Sequence, residues 1–323
     1  MDYRDPLFSI LLFLSLIVVT ILTTNILAFF KEKNRQKYLN DFIEKFDFLD
    51  DEDIKSFFSD NMSVNALLLL AIAFEKEGNY EKSLNIYLAL INNMDKNEKY
   101  SLLERIAYVY LKAGFLQKAK ESLLEILRTK YKNINALKML IVVNEKLKDF
   151  DGIENVLEVL DELEIDTTKE KAYLKYQQSI FRQDKKNLKL LYTKYPILRR
   201  EILQYFLFTN QKEIIDKIEE KDINKMIDIF WQYDNLDLNL NSYKQILSAK
   251  HIIEYKEASE IFEIEVLKHS PKNLADLEFE YLCSNCKQVF PIYESRCPSC
   301  KELFTFQVEI SITKKEELSL IEF

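Results

Sequence analysis

Four cysteines near the end of the sequence constrain the fold of this chain more than any other feature. They form two pairs of the same spacing, Cys283-Ser-Asn-Cys286 and Cys297-Pro-Ser-Cys300, with ten residues between the pairs and no other cysteine in the sequence. Two C-x2-C turns can direct four sulfur ligands toward one ion in the tetrahedral arrangement of a structural Zn²⁺. We therefore predict a closed metal site that holds zinc, with iron as the second option for a four-sulfur site.

An uncharged stretch near the N-terminus predicts a membrane anchor. From Leu7 to Phe30 there are 24 residues without a charged side chain. A helix of that length spans about 36 Å, enough for a hydrocarbon core of about 30 Å. A cleaved signal peptide is the alternative, but it would have a shorter apolar region and a basic leader. The basic residues instead follow the span, at 31, 33, 35 and 37, so the positive-inside rule places the rest of the chain in the cytoplasm. A reducing compartment also disfavours two disulfides at the four cysteines.

The composition predicts a mainly helical protein. The sequence of 323 residues contains three glycines and five prolines, which disfavours β-rich folds and enzymes built on glycine-rich loops. Its net charge is −8, and a nucleic-acid partner would require a basic surface instead.

A repeat of 34 to 36 residues runs through the middle of the chain. Gly78 and Gly114 follow helical patterns of the same phase, and a third copy has Lys148 at the equivalent position. The pattern resembles the tetratricopeptide repeat (TPR), in which a tight turn joins two helices and small residues such as Ala71 and Ala107 let them approach closely. A generic helical bundle is the alternative, but it would have no fixed period. We predict a TPR-type α-solenoid over 61–165.

Helical spacing continues from 166 to 277 without glycine. We expect degenerate TPR-like repeats there, with Pro196 in the first turn of a helix, where its missing N–H costs nothing. The segments expected to be helical are 169–182, 188–195, 196–208, 212–220, 223–233 and 242–269.

The first helix of each repeat supplies candidate partner-binding residues. Ile72, Tyr108 and Val142 share one phase and would form a partly apolar stripe on the concave face of a superhelix. Such a stripe binds a partner if it is exposed and belongs to the core if it is covered. The polar candidates around it are Glu75, Glu104, Lys112 and Lys138.

No catalytic residue is predicted. The two histidines, His251 in an amphipathic helix and His269 at a helix end, are interpreted as structural, because no residues at ligand or catalytic spacing accompany them. Four cysteine ligands would also leave no open position on the metal for a catalytic water.

The spacing of apolar residues changes from a helical to a strand period after the helical region. Apolar residues alternate with polar ones from Phe304 to Ile312, which predicts a half-buried strand. With the cysteines, this segment resembles a rubredoxin-like zinc ribbon over 278–323.

The order of anchor, TPR repeats and ribbon resembles that of the lipopolysaccharide assembly protein B family of Gram-negative inner membranes. The four cysteines and Pro298 fall where that family places its metal ligands and its Cys-Pro-x-Cys turn, and Tyr293 and Thr305 match favoured residue types. Lys287 departs from the family, which has a glycine there, and the family's tryptophan before the third cysteine is absent around Ser295-Arg296.

The resemblance implies a single-pass inner-membrane adaptor with its bulk in the cytoplasm, and not an enzyme. Such adaptors regulate lipid A synthesis by presenting the lipid A deacetylase to a membrane AAA+ protease, and a membrane regulator is a further implied partner. A membrane-anchored TPR scaffold for envelope or secretion complexes, without a proteolytic role, is the alternative. A redox protein with iron in the ribbon is a third possibility. The predicted organisation is an anchor at 1–30, juxtamembrane linker and helices at 31–60, TPR repeats at 61–165, degenerate repeats at 166–277 and the ribbon at 278–323.

Overall fold

The computed structural model of the protein describes residues 63–91, 96–211, 213–272 and 274–315. The predicted anchor at 1–30 and the juxtamembrane region at 31–60 lie outside these residues. The chain divides into two compact units, one up to Lys148 and one from Asp149. Within the described ranges, no helix has both the length and the apolar character needed to cross a membrane.

The first unit is a succession of helices in which each packs against the next. In its described residues these are α1 (Val64–Glu77), α2 (Tyr80–Ile91), α3 (Lys96–Lys112), α4 (Leu116–Thr129) and α5 (Ile134–Leu147). Leu70, Phe74, Tyr87 and Leu90 are almost completely buried in a core that α1, α2 and α3 share. The helix pairs α1–α2 and α3–α4 confirm the predicted TPR-like arrangement.

The predicted turns occur at the expected positions. Gly78 and Gly114 have φ angles of 83° and 82°, in the left-handed region that glycine adopts without strain. At the end of α1 the Asn79 N–H donates to the Phe74 carbonyl at 2.9 Å, which satisfies a carbonyl that the helix end would leave unpaired. Lys148 occupies the equivalent position after α5, with φ 57°.

Small residues hold the helices of the first pair close together, as predicted. Ser83 in α2 and Ala71 in α1 are both completely buried. The Ser83 hydroxyl donates to the Ala71 carbonyl oxygen at 2.9 Å. A larger side chain at either position would separate α1 from α2 and remove this bond.

The second unit contains shorter helices and a small sheet. Its described helices are α6 (Phe150–Glu162), α7 (Thr168–Phe181), α8 (Lys185–Lys194), α9 (Arg199–Phe208), α10 (Glu220–Lys225), α11 (Ile227–Phe230), α12 (Asn241–Ala249) and α13 (Phe262–His269), with 3₁₀ turns at Pro196–Leu198 and Ile215–Lys217. The predicted helices at 169–182, 188–195 and 196–208 are confirmed in α7, α8 and α9. Pro196 begins the 3₁₀ turn that leads into α9.

The prediction of a helix at 212–220 is wrong. Only Ile215–Lys217 forms a 3₁₀ turn there, and Ile218 is extended. The reason is local: Glu219 and Asp222 form a capping box that starts α10, so the chain must enter that helix in an extended conformation. The predicted helix at 223–233 is likewise divided at Met226 into α10 and α11.

The predicted helical segment at 242–269 is also interrupted. Helix α12 ends at Ala249, and α13 begins at Phe262. His251 therefore lies in a turn with φ 56° and not in an amphipathic helix. Most side chains from 251 to 260 are exposed, including those of Ile252 and Ile253.

Three antiparallel strands complete the second unit. They are β1 (Ala275–Cys283), β2 (Val289–Phe290) and β3 (Phe306–Lys314), in the order β2-β1-β3. Leu277 pairs with Ile312 and Phe279 with Ile310, and these side chains pack against the helical core. The predicted alternation is confirmed, but the strand starts at Phe306 because the chain bends at Phe304, which has φ 56°.

Candidate metal centre

Two turns of the second unit bring the four cysteines together. Cys283 is the last residue of β1, and Cys286 follows it across a short turn. Cys297 and Cys300 lie in a second turn, closed by a bridge between Arg296 and Leu303. The four sulfur atoms all lie within 4.8 Å of one another, and Cys283 and Cys297 are buried.

The sulfur geometry fits a tetrahedral metal ion. The Sγ atoms of Cys283 and Cys300 are 3.7 Å apart, as are those of Cys286 and Cys297. A disulfide would require about 2.05 Å. Four sulfurs at about 2.3 Å from a central Zn²⁺ lie about 3.8 Å from one another. The four cysteines could therefore hold a metal such as zinc or iron, since a tetrahedral four-sulfur set suits both.

The two turns have the same backbone hydrogen bonds. The Cys283 N–H donates to the Gln288 carbonyl, and the Lys287 N–H donates to the Cys283 carbonyl, both at 2.9 Å. In the second turn, the Cys297 N–H donates to Glu302 and the Lys301 N–H to Cys297, both at 3.0 Å. The two turns thus have one common backbone structure, as expected from the C-x2-C spacing that the two cysteine pairs share.

The polar surroundings of two sulfurs differ. Burial raises the pKa of the Cys283 thiol, but hydrogen bonds from the Cys286 N–H and the Thr305 hydroxyl outweigh it and lower that pKa to about 6. The Cys283 sulfur and the Thr305 oxygen are 3.2 Å apart; when the sulfur is a thiolate, the hydroxyl donates to it. Burial, together with the Cys300 and Cys283 sulfurs, raises the pKa of the Cys297 thiol to about 12. The centre therefore stabilises negative charge first at Cys283, the form that ligates a metal.

A buried ion pair connects the sheet to the helices. Arg200 in α9 pairs with Asp228 in α11, with Nη1 and Oδ1 3.0 Å apart. The Tyr281 hydroxyl of β1 donates to Asp228 Oδ2 at 2.9 Å. The Arg200 guanidinium lies 3.8 Å from the centre of the Tyr293 ring, in the loop between the two cysteine turns. Because all these groups are largely buried, the loss of any one would leave a charge or a hydroxyl without a partner.

A second buried carboxylate contacts the same loop. Glu201 is only 4 % exposed, and its Oε1 accepts a hydrogen bond from the Tyr293 hydroxyl at 2.8 Å. Burial raises the pKa of Glu201, although Tyr293 and Arg200 act in the opposite direction. Its Oε2 has no hydrogen-bond partner, so ionisation of this group is costly.

A third contact joins the second cysteine turn to α7. Arg296 forms a two-pronged ion pair with Glu170, at 3.1 Å and 2.7 Å. The same guanidinium donates to the Lys301 carbonyl at 2.6 Å. Arg296 therefore ties the loop that carries Cys297 and Cys300 to the helical part of the unit.

The sequence contains one signal for this buried network. Asp228 interrupts an apolar run, Met-Ile-Asp-Ile-Phe-Trp, and a carboxylate in such a run requires a buried partner. The identity of that partner, Arg200, depends on the tertiary packing. Local spacing therefore did not reveal it.

The predicted apolar stripe in the first unit is largely covered. Val142 is 4 % exposed and belongs to the core, Ile72 is half-buried against the core of α1 to α3, and Tyr108 is half-buried. This part of the predicted partner surface therefore contributes to packing in the structure.

The two acidic candidates of the first unit form polar contacts with neighbouring residues. Glu75 accepts from the Tyr87 hydroxyl at 3.2 Å and lies 3.4 Å from Arg105. Glu104 accepts from the Asn133 amide at 2.5 Å.

The two lysine candidates are exposed. Lys112 lies over the Tyr108 ring at 5.7 Å, and Lys138 belongs to α5.

His269 ends α13, as predicted, and pairs with Glu265 at 2.9 Å.

No protein-family model and no curated protein match the chain. Among solved structures, the chain is similar to a tetratricopeptide repeat protein from Parabacteroides merdae ATCC 43184, solved at 2.39 Å resolution. That similarity covers 67% of this chain and 78% of the other, with 18% identity and a TM-score of 0.36. Since a TM-score this low reflects only partial superposition, the TPR-like character rests on the helix pairs and turns of the first unit.

Proposed function

We propose that this protein is a membrane-anchored interaction scaffold stabilised by a structural Zn²⁺. The observation that carries the proposal is the close set of four sulfurs at Cys283, Cys286, Cys297 and Cys300. Arg296 connects this module to α7, Tyr293 connects it to α9, and Tyr281 connects it to α11. Four protein ligands leave no position for a substrate, and the ion supplies folding energy to the surrounding turns. The TPR-like helix pairs support a role in binding proteins, the usual function of such repeats.

Metal analysis of the full-length protein tests the zinc assignment. We expect one zinc per chain and no visible absorption when the protein is purified without chelators. The variant in which Cys283 and Cys286 are both replaced by serine should bind less than about a tenth of that amount, because two sulfur ligands do not form a structural site. Stoichiometric iron with visible absorption bands would overturn the zinc assignment and favour the redox alternative.

The finer proposal is an adaptor that regulates lipopolysaccharide synthesis in the inner membrane. Its support is the resemblance to the lipopolysaccharide assembly protein B family, carried by the four cysteines, Pro298, Tyr293 and Thr305. In this proposal the span at 7–30 places the bulk of the chain in the cytoplasm. The scaffold then presents the lipid A deacetylase to a membrane AAA+ protease.

Depletion of the protein in its own cells tests the adaptor role. We expect the half-life and the amount of the deacetylase to rise, and re-expression of the wild-type chain to restore both. Re-expression of the serine double variant is the matched control and should not restore them. An unchanged deacetylase half-life would reject this role and leave the envelope or secretion scaffold as the remaining candidate.

A further inference from the structure

One long edge of the small sheet is free among the described residues. Strand β3 pairs with β1 along its whole length, and no described strand pairs with its other edge. A nine-residue edge is about 30 Å long at the usual rise per residue. Unpaired strand edges of this kind are templates for the addition of another strand.

Backbone hydrogen bonds at both ends of β3 show which of its residues bond to β1 and which face the free edge. The Ser284 N–H donates to the Thr305 carbonyl at 2.8 Å, and the Lys315 N–H donates to the Leu274 carbonyl at 3.1 Å. In an antiparallel pair, hydrogen-bonded positions alternate with non-bonded ones. The backbone groups of the even-numbered residues of β3 therefore point away from β1: Phe306, Val308, Ile310, Ile312 and Lys314.

The side chains give this edge two different faces. Val308, Ile310 and Ile312 lie on the face that packs toward the helices, and each is only half-buried, so the apolar face continues up to the edge. Gln307, Glu309 and Ser311 lie on the opposite face and are exposed.

The exposed face carries acidic side chains close to one another. Glu309 lies directly opposite Glu280 of β1, and Glu278 is exposed two residues away on the same face. Like charges directly across a strand pair are destabilising. Basic side chains on a strand added to the free edge would lie beside Glu309 and offset part of this repulsion.

We propose that the free edge of β3 binds an extended segment of a partner protein in which basic and apolar residues alternate. The partner's backbone would pair with the outward N–H and C=O groups of Val308, Ile310 and Ile312, in the manner of strand addition. Its apolar side chains would extend the Val308–Ile312 row, and its basic side chains would lie beside Glu309. A second copy of this chain fits less well, because β3 against β3 would place another acidic row beside the first.

A peptide titration of the full-length protein tests the proposal. The probe is the peptide Lys-Val-Lys-Ile-Lys-Val-Lys, labelled for fluorescence anisotropy. Two control peptides carry Glu in place of Lys, or the same residues with the lysines grouped at one end. We expect the alternating basic peptide to bind at least about tenfold more tightly than either control, because only it matches both the charge and the period of the edge.

Two substitutions test the backbone and the charge separately. Ile310→Pro removes an outward N–H without touching the β1 ladder, since proline is tolerated on a strand edge, and should abolish binding. Glu309→Lys should weaken binding of the basic peptide at least about fivefold, whereas Glu158→Lys, the same charge change on exposed helix α6, should change it less than about twofold. Circular dichroism of each variant checks that it is folded, and Glu309→Lys keeps the test decisive if Ile310→Pro unfolds.

Several results would overturn the proposal. Equal binding of the grouped-lysine peptide would indicate simple charge attraction, and unchanged binding by Ile310→Pro would place the peptide elsewhere. Binding that appears only after deletion of residues 316–323 would assign the edge to the chain's own tail. Concentration-dependent dimers that Ile310→Pro abolishes would assign it to a second copy. No binding of any peptide up to about 1 mM, a free energy of about −4 kcal/mol, would also reject it.

Discussion

At the scale of single residues, the two cysteine turns use lysine where the backbone favours glycine. Lys287 and Lys301 directly follow the second cysteine of their pairs and have φ angles of 61° and 64°. This left-handed conformation costs a residue with a Cβ about 1–2 kcal/mol. The resemblance pointed to Lys287 as unusual, but the sequence alone did not show that Lys301 adopts the same conformation.

Lys287→Gly should therefore stabilise the second unit by about 1 kcal/mol, because glycine adopts the left-handed conformation without strain. Chemical unfolding of the metal-loaded protein measures the change. Lys287→Ala is the matched control: it also removes the charge but retains the Cβ. An equal gain in both variants would mean that the lysine charge, and not the backbone, determines the effect.

Glu201 gives the protein a pH dependence of definite sign. Because burial raises its pKa in the folded state, the folded protein binds a proton at Glu201 more readily than the unfolded chain does. Stability from this group is present at acidic pH and is lost as the pH rises through the folded pKa. Glu201→Gln retains an acceptor for the Tyr293 hydroxyl and does not titrate.

The variant Glu201→Gln should thus unfold at a higher temperature than the wild type at pH 7. The difference between the two should shrink as the pH is lowered toward the acidic range. Calorimetry at a series of pH values measures it. A difference that grows on acidification would show that Glu201 is stabilised as the carboxylate and that its pKa is lowered instead.

At the scale of helices and strands, local patterns were reliable where the repeat is regular. The turns at Gly78 and Gly114, the close contact at Ala71 and the alternation in β3 all follow from residue type and period. The segments at 212–220 and 242–269 were predicted as helices because their apolar spacing is partly helical. Tertiary and capping interactions, such as the Glu219–Asp222 box, determined those segments, and spacing alone does not encode them.

Metal removal should affect helices as well as strands. The face of the sheet formed by Leu277, Ile310 and Ile312 belongs to the same core as α9, α11 and α13. A chelator should therefore lower hydrogen-exchange protection in the strands and in these helices of the second unit, while α1 to α4 retain theirs. Exchange measured on the full-length protein, before and after chelation, tests this.

Addition of zinc back to the chelated protein is the control and should restore protection in both groups of elements. A loss confined to 275–314 would contradict this prediction. It would mean that the helices of the second unit fold without the sheet.

At the scale of the whole molecule, the sequence predicted a mainly helical chain with TPR-like pairs and a four-cysteine module, and the described residues confirm these features. The attachment of the module to the helices was not predicted. Arg200, Asp228, Glu170 and Arg296 are separated by long stretches of sequence, and single-sequence patterns describe only neighbours along the chain. The membrane anchor stays a prediction.

Deletion of residues 1–30 tests the anchor. The truncated chain should move from the membrane fraction to the soluble fraction, because an uncharged stretch of 24 residues is the segment expected to hold it in lipid. Fractionation with alkaline carbonate washing measures this. Replacing the lysines and arginine at 31–37 with glutamine, with the span intact, is the control and should leave the protein in the membrane fraction. Persistence of the truncated chain there would contradict the assignment of the anchor.

The pair between Glu170 and Arg296 has a consequence for biosynthesis. These residues are 126 positions apart, and a ribosome adding about 5–20 residues per second needs roughly 6–25 s to make the chain between them. During that interval helices α8 to α13 are made first, and the strands that cover part of their apolar surface are made only afterwards. The nascent chain is therefore most vulnerable to aggregation and proteolysis just before its cysteines emerge, and chaperone binding protects it most at that stage.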